Sequence, residues 1–267
     1  MKQVTLALAA TGLISVAGQA GAGNIFLTGH DNEFHQSLNA QAQTTAALAF
    51  VRNGSSLPVL AFDAGSELTN LLTTLGISFT NVDPTNAANV TDALFDPTLY
   101  SAFIVASATS CGGCDNSPTA IANIAAHEPA IAAFFNAGGG IFGLAGAEDV
   151  NAYAYVPESA TNAGGIPPTS GYVQTADGAL LGIPPVNGDT THNFFSEPGT
   201  GGLSSQYVVV ERLDDAVGGT PESIALVNGT IICRGSDCVI TVPEPGTLAL
   251  LGLALAGLSA MRRRRNL

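Results

Sequence analysis

Two histidines and two carboxylates crowd into one seven-residue stretch, Gly29-His30-Asp31-Asn32-Glu33-Phe34-His35, directly behind the apolar run Asn24 to Thr28. Imidazole and carboxylate are ligands for divalent ions, so the stretch reads as a site for a divalent metal or a sugar. The chain has only four histidines, which makes two in one loop notable. A third, His192, has Asp189 and Glu197 close to it in sequence; folded over the same crevice, it would meet His30 and Asp31. His30, Asp31, His35 and His192 around a metal ion therefore form the first candidate constellation. The plainer alternative is a capped loop, with His30 and Asp31 bonded to backbone groups and His192 a packing or surface residue.

Four cysteines, Cys111, Cys114, Cys233 and Cys238, form the second group. In an exported chain they imply two disulfides, and local pairs, Cys111 with Cys114 and Cys233 with Cys238, are the expected connectivity. Cys111-Gly112-Gly113-Cys114 also has the spacing of a thiol oxidoreductase pair, but no nearby cation would stabilise a thiolate. A single such spacing is weak evidence for zinc. Gly138-Gly139-Gly140 precedes a strand and has no lysine beside it, which excludes a phosphate loop. Serine hydrolysis lacks its turn motif, and Ser110 has no identifiable base.

The ends of the chain read as addresses. Lys2, the apolar run Val4 to Val16 and the small-residue site Ala20-Gly21-Ala22 form a signal peptide, with cleavage expected after Ala22 and after Ala20 as second choice. Signal peptidase and the Sec machinery are the partners this implies. At the other end, Val242-Pro243-Glu244-Pro245-Gly246 breaks regular structure, since two residues lack amide donors. Thr247 to Met261 is then continuously apolar or small, and Arg262, Arg263, Arg264 and Arg265 follow. A helix of about 15 residues is about 22 Å long, short of a full hydrocarbon core. The arginines would stay cytoplasmic and leave the main domain outside.

Pro243, Glu244 and Pro245, the short hydrophobic helix and the arginine cluster closely resemble the PEP-CTERM sorting signal. That resemblance implies recognition and cutting by an exosortase, transient inner-membrane anchoring, and delivery to the cell surface or extracellular matrix, with exopolysaccharide as a possible partner. The expected organisation is residues 1–22 signal peptide, 23–241 domain and 242–267 sorting signal.

Between the ends lie twenty of the twenty-one acidic residues and only three of the eight basic ones, Arg52, Arg212 and Arg234. The domain thus carries a net charge of about −17, which argues against nucleic acid or anionic lipid as its ligand and suits a solvated extracellular surface.

Elements that position the first constellation follow from periodicity and punctuation. Short apolar runs at 24–28, 58–62, 77–82, 102–106 and 141–144 read as strands. They alternate with helices at 37–52, from the Asp63/Ser66 caps to Leu75, at 117–125 and at 129–136. Such alternation predicts an α/β domain with a mostly parallel sheet and helices on both faces. Its crevice lies beyond the carboxyl ends of the strands, where the Gly29–His35 loop would sit. From Asn151 to Gly202 the composition favours long loops with short strands. Tyr207 to Glu211 reads as a strand. Ser223–Val227 and Thr230–Arg234 around Asn228-Gly229 predict a type I′ hairpin, giving an antiparallel C-terminal part.

Gly143-Leu144-Ala145-Gly146-Ala147-Glu148-Asp149 resembles the nucleophile turn of class I glutamine amidotransferase-like domains. Thr190-Thr191-His192-Asn193-Phe194-Phe195 resembles a late loop of these and of trehalose-utilisation-like proteins. The resemblance implies a flavodoxin-like fold from Asn24 to Leu226. It also implies that cysteine-dependent chemistry has been lost, because Ala145 stands where the nucleophile would be. Two functions follow as expectations: a non-catalytic surface or matrix protein that binds polysaccharide or a metal ion, or a metal-assisted hydrolase or lyase acting on extracellular carbohydrate. A thiol oxidoreductase using Cys111 and Cys114 is the third.

Overall fold

The computed structural model describes residues 22–108, 116–146, 149–157, 162–164, 168–188, 192–214, 219–234 and 237–241. Cys111, Cys114, Asp189 and both terminal segments lie outside them.

β1 (Ile25–Thr28) is buried on both faces and leads through the single-turn helix α1 (Asn32–His35) into α2 (Leu38–Arg52). Ser37 caps α2 by accepting from the Ala40 amide, and Asn53 ends it in a left-handed conformation. β2 (Val59–Phe62), α3 (Glu67–Thr74) and β3 (Phe79–Val82) follow. Of the two caps expected for α3, Asp63 is the one used: its carboxylate accepts from the Gly65 and Thr69 amides, whereas Ser66 makes no capping bond.

β4 (Ala102–Val105), α4 (Pro118–Ala125), α5 (Glu128–Asn136) and β5 (Gly140–Gly143) complete the alternating half. The loop-rich stretch contributes β6 (Asn162–Gly164), β7 (Tyr172–Gln174), α6 (Ala176–Leu181) and β8 (Phe194–Phe195). Helix α6 was not expected. Thr175 caps it and left-handed Gly182 closes it, a start-and-stop pair hidden in a weakly apolar segment. β9 (Val208–Leu213), β10 (Pro221–Leu226), β11 (Thr230–Arg234) and β12 (Asp237–Thr241) end the described chain.

One mixed sheet of eight strands runs β3-β2-β4-β5-β1-β10-β9-β7. The first five are mutually parallel, and β10, β9 and β7 add antiparallel strands beyond β1. Two buried layers sandwich it. On one face Ala47, Leu48 and Val51 of α2 and Leu68 and Leu72 of α3 pack on Phe26, Ala61, Ile104 and Phe142. On the other, Ile121 and Ile124 of α4 and Ile131, Phe134 and Phe135 of α5 pack on Ile25, Leu60, Phe103 and Ile141. Adjacent strand residues thus point to opposite apolar layers, which is why β1, β2, β4 and β5 show no polar alternation, whereas the edge strand β3 exposes Thr80 and Asn81.

The predicted Asn228-Gly229 hairpin does not form. Asn228 has the positive φ of a turn (51°), but both edges of β10 are already occupied by β1 and β9. With no free edge, the chain leaves the sheet, and β11 pairs with β12 instead. In that ladder Cys233 and Cys238 are Cα partners.

A candidate metal triad at the carboxyl end of β1

Where β1 ends, the chain passes through a slot that admits only glycine. A Cβ on Gly29 would lie 1.9 Å from the Asn193 carbonyl oxygen and 2.4 Å from Glu222 Oε1. Backbone bonds fix the slot: the Gly29 amide donates to Glu222 O, and the His192 amide donates to Gly29 O at 2.8 Å. The late loop is therefore pinned to the end of β1. Gly29→Ala is expected to cost more than about 3 kcal/mol, because backbone and not a flexible side chain must move, and a urea unfolding curve measures it.

Past Gly29, Asp31 precedes α1 and His35 ends it, four residues apart and on one face. His35 Nε2 lies 3.4 Å and His192 Nε2 2.8 Å from the same oxygen, Asp31 Oδ2. One ligand atom from each of Asp31, His35 and His192 falls within 4.8 Å of the others. For bonds of 2.0–2.1 Å, a tetrahedral site sets its ligands about 3.3 Å apart, so only small shifts would seat an ion here. Asp31 is buried and its Oδ1 has no hydrogen-bond partner, while both imidazoles reach solvent. Two imidazoles and one carboxylate with an open side are a donor set for first-row divalent ions.

His30, the fourth residue of the predicted constellation, is not part of this group. Its ring is fully buried on the other side of the backbone, with Nε2 3.2 Å from Glu211 Oε2 and Nδ1 3.8 Å from Glu222 Oε1. Glu211 also accepts from Gln43 Nε2, Ser223 Oγ and the Val186 amide. A register shift in the β9–β10 pairing around Glu222 places this residue and Ser223 at the His30 ring and its partner. His30 is thus a strut that ties the end of β1 to the antiparallel strands. Glu197, grouped with His192 on sequence, pairs instead with Arg212 at 3.1 Å.

Ala145 occupies the turn after β5, is buried, and donates its amide to the His30 carbonyl. Asn193 fixes the same turn, accepting from the Gly146 amide at 2.6 Å and from Tyr153 Oη at 3.1 Å. Glu33 entered the sequence reading only as one of the two carboxylates of the Gly29–His35 stretch and Asn193 only as a member of the late loop, while Glu211 and Glu222 were not singled out. Glu211 closes a Val-Val-Val run and reads there as a solvent-facing strand end.

Two of these carboxyls hold protons more tightly than usual. Burial, opposed by the Ser107 contacts and reinforced by the Asp31 charge, pushes Glu33 from 4.5 to about 8. Burial, then the charge of Glu211, raises Glu222 as well. At these two positions the folded chain binds more protons than the unfolded chain, so the part of the stability that they contribute falls as pH rises above the ordinary carboxyl range, and the Glu33 part levels off above about 8. In metal-free protein, Glu33→Gln should raise unfolding free energy by up to about 5 kcal/mol above pH ~8 and by little near pH ~4.5. Chemical denaturation at the two pH values measures the difference.

Residues 241–265 match the PEP-CTERM protein-sorting motif. The motif marks an exported protein that is anchored transiently in the membrane and processed by an exosortase. No curated protein and no solved structure matches the chain. Among the described residues, no helix is long and apolar enough to cross a membrane.

Proposed function

We propose that this is a surface or matrix protein whose exported domain, residues 23–241, holds a divalent ion such as Zn2+ through Asp31, His35 and His192 and presents it at the carboxyl end of the sheet. The sorting motif carries the location, and the convergence of three ligand atoms within 4.8 Å carries the binding. The Asp31 carboxylate supplies charge, the imidazoles supply nitrogen donors, and the solvent side leaves room for an outside oxygen ligand, such as a polysaccharide hydroxyl.

The strand order supports a flavodoxin-like reading of the parallel half. Counting β1 last, its five strands follow the 2-1-3-4-5 order of that fold. The amidotransferase-like resemblance fits the same frame without its chemistry, since Ala145 offers no nucleophile. A cystine between Cys233 and Cys238 fits too. Directly opposed strand residues have Cα atoms ~4.5–5.5 Å apart, within the span of a disulfide.

One observation favours the enzymatic alternative, a metal-assisted hydrolase or lyase on carbohydrate. Glu33 sits two residues from Asp31 and keeps its proton to about pH 8, as a general acid would. Its complete burial, with Oε1 taken by the Ser107 amide at 2.6 Å, favours a structural role.

Zinc titration of the mature protein, followed by calorimetry, tests the proposal. It predicts one site per chain, with binding that weakens in acid as imidazoles protonate. Stoichiometry near zero in chelator-stripped, refilled protein would overturn it.

A further inference from the structure

The two ends of the described domain emerge on the same face, opposite the metal triad. At the start, the Gly23 amide donates to Phe135 O at the last turn of α5, and a Cβ there would lie 2.1 Å from the Gly139 carbonyl oxygen. At the finish, Thr241 pairs with Thr230, and β11 is clamped to the same end of α5. Asn136 performs the clamping: its side chain donates to Ile231 O and accepts from the Ile231 amide, both at 2.7 Å. The Asn228 amide then closes the gap by donating to Asn24 Oδ1 at 2.9 Å. Following these links, Gly23 and Thr241 lie within about 25 Å of each other. β1 runs about 13 Å from that face before it reaches Gly29 and the triad.

Tether length turns this placement into an orientation. Only Val242 to Gly246 separate Thr241 from the hydrophobic run that begins at Thr247. Five residues reach at most about 17 Å, and two prolines stiffen them. A domain of this size is roughly 45 Å across, so it cannot turn its far end to the bilayer on such a tether.

We infer that, while the sorting tail is uncut, the face built from Gly23, the C-terminal turn of α5 and the start of the β11–β12 ladder lies against the phospholipid surface, and the Asp31–His35–His192 triad opens away from it. This rests on reading the C-terminal segment as a membrane anchor. Metal and any outside ligand then reach the triad before release, and exosortase meets its motif directly beneath the folded domain.

Full-length precursor in lipid nanodiscs carrying paramagnetic headgroups tests this. A fluorophore is placed either at Ala137, exposed at the end of α5, or at Phe34, exposed beside the triad. Quenching several-fold stronger at Ala137 is expected, and a 30-residue glycine-serine insertion after Thr241 should abolish the difference. Equal quenching at both positions, or stronger quenching at Phe34, overturns the orientation. A precursor that leaves the nanodisc altogether overturns the anchor reading, and the orientation with it.

Discussion

Replacing Arg262, Arg263, Arg264 and Arg265 together by glutamine should end release of the protein from the cell. The apolar run before them is about 15 residues, too short to hold a stable span by itself. Its retention depends on cations that cannot follow it into the hydrocarbon, at ~2.5–3.5 kcal/mol for each arginine. If the tail spans the membrane with its arginines on the cytoplasmic side, four of them together would resist slippage by roughly 10 kcal/mol, and without them it would have no fixed end there. Pulse-chase labelling of the native host should show the released form falling by about tenfold or more, with the precursor mis-sorted. Replacing Pro243, Glu244 and Pro245 by alanine leaves the anchor and removes the motif. That variant should accumulate as an uncut membrane form. If both variants are released like the natural protein, the tail is not a sorting signal.

Asp31→Asn should abolish metal binding with little loss of fold. Both imidazole nitrogens approach the one oxygen Asp31 Oδ2, so this carboxylate is the hub of the triad and, among the described residues, its anionic donor. Removing the charge takes away the strongest electrostatic attraction for a dication, and affinity should fall by more than about 100-fold. His30→Gln makes the informative control. It is one residue away but faces Glu211 and Glu222, so it should lower the unfolding midpoint and leave zinc affinity unchanged in the folded fraction. Equal loss of affinity in the two variants would return His30 to the site.

The contrast between His30 and its neighbours shows what the sequence could convey. The Asp31–His35 pair is legible, because i and i+4 share a face once the loop is read as a helical turn. His192 is legible only as a member of a late loop near a crevice; the bond between its amide and Gly29 O is a tertiary fact. His30 misleads because adjacent residues at the end of a strand point to opposite sides. Which side meets Asp31 and His192 depends on β10, which is nearly 200 residues further along the chain and pairs antiparallel beside β1. Glu211 and Glu222 were illegible for the same reason. Only pairing on both sides of β9 and β10 buries carboxylates that a strand pattern would leave in water.

The parallel half was legible because its inner strands are short, apolar and punctuated by glycine or a capping residue; only the edge strand β3, with Thr80 and Asn81, is partly polar. In the antiparallel half, Asn228-Gly229 carries strong hairpin chemistry and even adopts a positive φ, yet β10 has two better partners. Local turn preference is worth about a kilocalorie, and occupation of both strand edges outweighs it.

Intact-mass measurement of the protein recovered from the cell surface and medium of its host tests the account most directly. It predicts a chain that begins at Gly23, or at Gly21 if the second site is used, and that has lost Arg262 through Arg265. A polypeptide found only in the cytosol, bearing both Lys2 and the arginine cluster, would contradict it.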